Sequence, residues 1–168
     1  MKRYTALLLI LALFLCLTAC AREDNTIREP VSFYYRRAEL TYGSSDSVIL
    51  SESSDAAGHT DDLIWLLGEY LKGPQSENLL QTFPSGTTLV SLTVEEGTAT
   101  IVLSVQFGRL TGMDLTVACA CLTKTVLGLT DAETVVIQAV NTDLDGAQQI
   151  VMDESSLLML DESAKSTD

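Results

Sequence analysis

The sequence predicts an α+β domain, a small mixed sheet with two helices packed on one face, and three observations carry that expectation. Apolar and polar residues alternate over Val31–Tyr35 and again across Val90–Leu103. Apolar residues recur at helical spacing from Leu63 to Leu71 and from Leu115 to Val126. Their order along the chain is strand, strand, helix, hairpin, helix, strand, a mixture that packs as layers around one core.

Before the first of these elements stand Lys2 and Arg3, a run from Ala6 to Leu17 without a charge, and the exit Leu17-Thr18-Ala19-Cys20. A basic head, a short apolar stretch and small residues at the exit read as a secretory signal over residues 1–19. Twelve residues rising ~1.5 Å each do not span a hydrocarbon core of about 30 Å, so the run is not read as a permanent anchor. The exit resembles the lipobox of bacterial lipoproteins. That resemblance implies cleavage between Ala19 and Cys20, an S-diacylglyceryl group on the Cys20 thiol with palmitate among its chains, and a freed amine as a second acylation point. Two acyl chains satisfy the requirement for stable anchoring. Cleavage leaves 149 of the 168 residues and, with Lys2 and Arg3 gone, shifts the net charge from −13 to −15.

Residues 20–29 are polar and charged, a tether ending at Pro30. Val31, Phe33 and Tyr35 then share one face of a half-buried strand, and Ser47–Leu50 reads as a second after the Gly43-Ser44-Ser45 turn. Thr60-Asp61-Asp62 offers a helix cap with early acidic residues. Leu63, Leu66, Leu67, Tyr70 and Leu71 follow on one helical face, and Gly73-Pro74 ends the helix. Val90, Leu92 and Val94, the turn Glu95-Glu96-Gly97, then Ala99, Ile101 and Leu103 read as a hairpin. Leu115, Cys119, Leu122 and Val126 place a second helix, and Thr134–Ala139 a further strand. Residues 143–168 read as an acidic extension, with Ile150-Val151-Met152 and Leu157–Leu160 as candidate short strands.

Three segments in order carry a family resemblance: Leu66-Leu67-Gly68-Glu69-Tyr70-Leu71-Lys72-Gly73-Pro74, then Phe83-Pro84-Ser85-Gly86-Thr87, then Glu96-Gly97-Thr98-Ala99-Thr100-Ile101-Val102-Leu103-Ser104. They resemble the Leu-x-x-Gly-Pro, Pro-x-Gly-Thr and Gly-x-Ala-x-Val-x-Leu-Ser signature of the GerMN domain of sporulation and spore-germination proteins. The likeness is assigned to residues 30–142. It implies a fold like the ring-building modules of secretion assemblies. It also implies a lipid-anchored protein on the outer face of the cytoplasmic membrane of an endospore former, with envelope or sporulation proteins as partners. Family members can carry two such domains in tandem, and this chain has room for one.

Composition narrows the function from the other side. An acidic chain with 10 Lys+Arg against 23 Asp+Glu lacks the basic density that nucleic-acid binding requires. The charge also opposes docking on anionic lipid, so the membrane contact must come from the acyl chains. The chain has no G-x-S-x-G, S-x-x-K or P-loop, and its one histidine, His59, has no evident serine or cysteine partner. His59 with Asp55, Asp61 and Asp62 suits a solvated loop better than a metal site. Cys119 and Cys121 sit about 200° apart on a helix and cannot chelate one ion from it. Asn141-Thr142-Asp143-Leu144-Asp145-Gly146 imitates the start of a calcium loop, but the twelfth position, where a bidentate Glu belongs, is Met152. No catalytic residue, cofactor or metal is therefore expected.

The leading expectation is a non-enzymatic interaction or assembly module, and the alternative is a small-ligand or cell-wall-binding lipoprotein. Exposed strand edges are the natural contact surface, with Val31–Arg36 and Thr134–Ala139 as the candidate edges.

Overall fold

The structure is a computed structural model that describes residues 29–39 and 47–161. The expected leader, the cleavage and lipidation residues Ala19 and Cys20, and the tether before Glu29 lie outside the described residues.

In β1 (Pro30–Arg37) alternation buries Val31, Phe33 and Tyr35 on one face. It pairs antiparallel with β2 (Ile49–Asp55), from Pro30↔Asp55 to Arg36↔Ile49. The second strand thus runs five residues beyond Leu50, through Ser51-Glu52-Ser53-Ser54-Asp55. Backbone pairing holds that stretch without an apolar alternation to announce it. Helix α1 (Leu63–Tyr70) starts where Asp62 Oδ1 accepts the Trp65 N–H at 3.0 Å, and it buries Leu66, Leu67 and Tyr70. A two-residue strand, β3 (Leu79–Leu80), returns to pair with Arg36 and Arg37.

The hairpin forms as its turn chemistry requires. β4 (Leu89–Glu95) and β5 (Thr98–Leu103) are joined by Glu96 and Gly97, both at positive φ (48° and 76°), the geometry whose twist matches paired strands. A 3-10 turn at Phe107–Arg109 leads to the long helix α2 (Gly112–Leu129). β6 (Thr134–Ala139) then lies parallel to β5, β7 (Ile150–Asp153) pairs antiparallel with β6, and α3 (Glu154–Asp161) follows. Leu157 to Leu160 thus lie in a helix, not in a strand. Asp153 Oδ1 accepts from the Ser156 N–H at 2.9 Å and from the hydroxyls of Ser155 and Ser156, which starts a helix there.

The α+β class holds, with the strands divided between two sheets ordered β2-β1-β3 and β4-β5-β6-β7. Helix α2 packs against β1 of the first as well as β6 and β7 of the second. A helix covered on several sides must be apolar on several sides, which accounts for the burial of both Cys119 and Cys121. The core is continuous through Tyr70, whose ring stands 5.4 Å from that of Phe33, 5.0 Å from Tyr35 and 5.1 Å from Phe83.

Both candidate edges are interior. β6 lies between β5 and β7. β1 has β2 along one side, and on the other β3 meets only Arg36 and Arg37. Side chains complete that second side, with the Arg36 N–H donating to Thr82 Oγ1 at 3.2 Å. Among the described residues the sheet edges are β2, β3, β4 and β7.

Candidate functional site

Several of the residues weighed for chemistry are engaged structurally. The His59 ring stacks on Trp65 at 4.3 Å between centroids, 12° from parallel, and its Nδ1 lies 3.6 Å from Asp62 Oδ2. Asp62 is the helix cap, and Asp55 Oδ1 accepts the Ala57 N–H at 2.9 Å. Among the described residues no group of three or more His, Cys, Asp or Glu side chains stands together as a metal site.

Cys119 and Cys121 are free thiols inside the core. Burial pushes both up to about 12. For Cys121 a hydrogen bond from Thr82 and the nearby Arg36 and Lys124 charges oppose that rise without overcoming it. A thiol held protonated is a poor nucleophile and a poor metal ligand.

The loop that imitates calcium ligation is a brace for α2. Asp145 Oδ2 accepts the Gly112 N–H at 3.2 Å, at the helix end where N–H groups lack partners within the helix. Thr111, the formal cap, makes no such bond with its side chain. Leu144 beside it is buried, and Thr142 packs on Gly108, where a side chain would collide with it. A long-range cap of this kind leaves no local spacing rule by which to find it.

A cleft of about 590 Å³ opens between α2 and the start of α3, lined by Tyr34, Lys124, Leu127, Glu133, Asp153 and Glu154. Lys124 Nζ sits 5.1 Å from the centre of the Tyr34 ring; burial lowers the pKa of its ammonium, and the neighbouring Cys121 and Glu154 oppose that fall without overcoming it. The cleft's cation thus already lies against the chain's own aromatic ring.

The four sheet edges differ in how open they are. β2 carries Glu52 and Asp55, β3 has two residues, and β7 has four and ends in Asp153. β4 reads Leu-Val-Ser-Leu-Thr-Val-Glu, uncharged until its last residue, with Val90 54% and Val94 41% exposed. Beside it α1 presents Ile64, 65% exposed, across a groove shared with Leu92 and Val94. This surface was absent from the expected edges because sequence pattern does not say which strands are neighbours.

The Germane family model, described as sporulation and spore germination, matches residues 39–145. The tandem GerMN domains of the sporulation protein GerM from Bacillus subtilis superpose with a TM-score of 0.55 at 19% identity, covering 79% of this chain and 47% of that one. The first GerMN domain of the same protein aligns with a TM-score of 0.49 at 14% identity over 74% of this chain and 94% of that one. The chain therefore spans about half the length of the tandem structure. No match was found among curated proteins.

Proposed function

The chain belongs to the Germane family of sporulation and spore-germination domains, and on that premise we propose that it is a lipid-anchored, non-enzymatic interaction module on the outer face of the cytoplasmic membrane. The observation that carries this reading is the family match over residues 39–145 placed behind Leu17-Thr18-Ala19-Cys20. The lipobox supplies the membrane attachment, and the family supplies the process, sporulation or spore germination.

A role made of contacts accords with the side chains that chemistry would otherwise use. His59 is stacked on Trp65 with its Nδ1 3.6 Å from the carboxylate of the helix cap, and burial holds the two core thiols protonated. What remains for function is surface: acidic, standing off anionic lipid, and presented to other envelope proteins.

Deletion of the gene in a spore-forming host, with no second copy, tests the reading through heat-resistant spore counts and germination rate. The expected result is a loss in one of them, restored by wild-type protein and not by Cys20→Ala, which also fails to incorporate labelled palmitate. Normal sporulation and germination in the deletion strain, or palmitate on the Cys20→Ala protein, would overturn it.

A further inference from the structure

The structure assigns the open edge of β4, with the groove between it and α1, as the site where an extended segment of a partner protein adds as a fifth strand, apolar residues alternating with lysine or arginine. This inference rests on the reading of the chain as a contact module and names where the contact is made and with what.

The backbone supplies the first part of the argument. The hairpin turn at Glu96-Gly97 has both residues at positive φ, so Glu95 and Thr98 form the hydrogen-bonded pair that closes it. Pairs in an antiparallel ladder alternate, which makes Val94↔Ala99 and Leu92↔Ile101 the non-bonded ones. The N–H and C=O groups of Leu92 and Val94 therefore point away from β5, toward the open side. Edges are usually blunted by charge, proline or short length, and β4 over Leu89–Val94 has none of these, while the other three edges do. A bulge between Leu89 and Ser91 limits pairing at the start of the strand and leaves Leu92–Glu95 as the regular stretch.

The side chains supply the second part. Leu92 and Val94 share the face of Ala99 and Ile101, on the side where Ile64 of α1 projects. A strand laid beside β4 would set every second residue against Ile64. The groove continues past Ile64 and Gly68 to Thr88 and Leu89.

Charge chooses the occupant. Asp61 and Asp62 line the end of the groove beside Val94, and Glu95 and Glu96 end the strand there. A second copy of this chain, with 23 Asp+Glu against 10 Lys+Arg, would bring like charge to an acidic groove. A basic segment is attracted there instead, and its bound charges are screened by salt.

The test uses the mature chain and a labelled, end-blocked peptide of about eight residues alternating valine with lysine, read by fluorescence anisotropy at low and physiological salt. Val94→Pro removes an outward N–H without touching the ladder to β5, a place where edge strands accept proline. Ile64→Ser removes the apolar contact at an exposed position in the groove without changing its charge. Each is expected to weaken binding about tenfold or more with an unchanged melting temperature, and salt is expected to weaken wild-type binding. Valine alternating with glutamate is expected not to bind. The proposal is overturned if the lysine peptide fails to bind, if binding ignores Val94→Pro, or if the glutamate peptide binds as well. Dimerisation of the chain that Val94→Pro abolishes would assign the edge to a second copy and overturn it too. The assay involves neither membrane nor spores, so its outcome is independent of the deletion phenotype.

Discussion

The main-chain N–H of Tyr34 donates to Thr125 Oγ1 at 3.0 Å, so a helix side chain occupies the place where a strand would have paired. The carbonyl of the same residue accepts from the Tyr70 hydroxyl at 2.8 Å. Between them these bonds close the side of β1 that faces away from β2 and bind the first sheet to both α1 and α2.

Thr125→Val keeps the shape and leaves the Tyr34 N–H without its acceptor, at an expected loss of about 1–3 kcal/mol. Thr123, two residues earlier, is also buried, but its hydroxyl has no partner among the described residues. Thr123→Val is expected to be neutral or to stabilise by about 1 kcal/mol. Urea unfolding of both variants checks the pair, and equal effects would contradict it.

Leu67 is 2% exposed in the middle of the α1 stripe. Leu67→Ala is expected to cost about 2–5 kcal/mol, from lost transfer energy and the cavity left behind. Denaturant midpoints measure it, and an unchanged midpoint would place this face of α1 at the surface.

The buried thiols set a window in alkaline pH. In the folded chain Cys119 and Cys121 are raised from 9.0 to about 12, so between these values the unfolded chain loses protons that the folded chain keeps. Their contribution to stability is therefore whole below about pH 9 and falls as pH rises toward 12. Both are expected to resist alkylation at pH 8 until the protein is unfolded, as mapped by mass spectrometry. Ready alkylation of the native protein would contradict their burial.

Asp145→Ala removes the acceptor for the Gly112 N–H and is expected to cost about 0.5–2 kcal/mol, the usual loss with a helix cap. Asp145→Asn retains an acceptor oxygen and should recover most of it. Calcium is expected to leave the melting temperature of the wild-type protein unchanged, whereas a calcium-dependent rise would point to ligation by this loop.

The elements that were legible in the sequence are those whose packing is one-sided. Leu63 to Leu71 announces α1 because only one face is covered, and Val90 to Leu103 announces the hairpin because alternation and a Gly-containing turn coincide. Ser51–Asp55 was hidden because an edge strand held by backbone pairing needs no apolar period. Leu157–Leu160 was ambiguous because a run of four apolar residues fits either period, and the cap at Asp153 decides it. The bond from Tyr34 to Thr125 spans 91 residues and leaves no local trace, so the identity of the open edge could not be read from the strands alone.

The start of the domain has a mechanical consequence. Glu29 stands immediately before the first ladder pair, Pro30↔Asp55. Its carbonyl accepts the Ala56 N–H at 2.9 Å, and its carboxylate takes the Gly58 N–H at 2.9 Å and the Thr60 hydroxyl at 3.0 Å. Tension applied from the N-terminal side therefore meets this clasp first and is shared with the loop leading into α1. Without the clasp the load would fall on Pro30↔Asp55 alone, and β1 would peel from β2 one pair at a time, as a zipper opens. With it, three bonds must yield before the zipper begins to run.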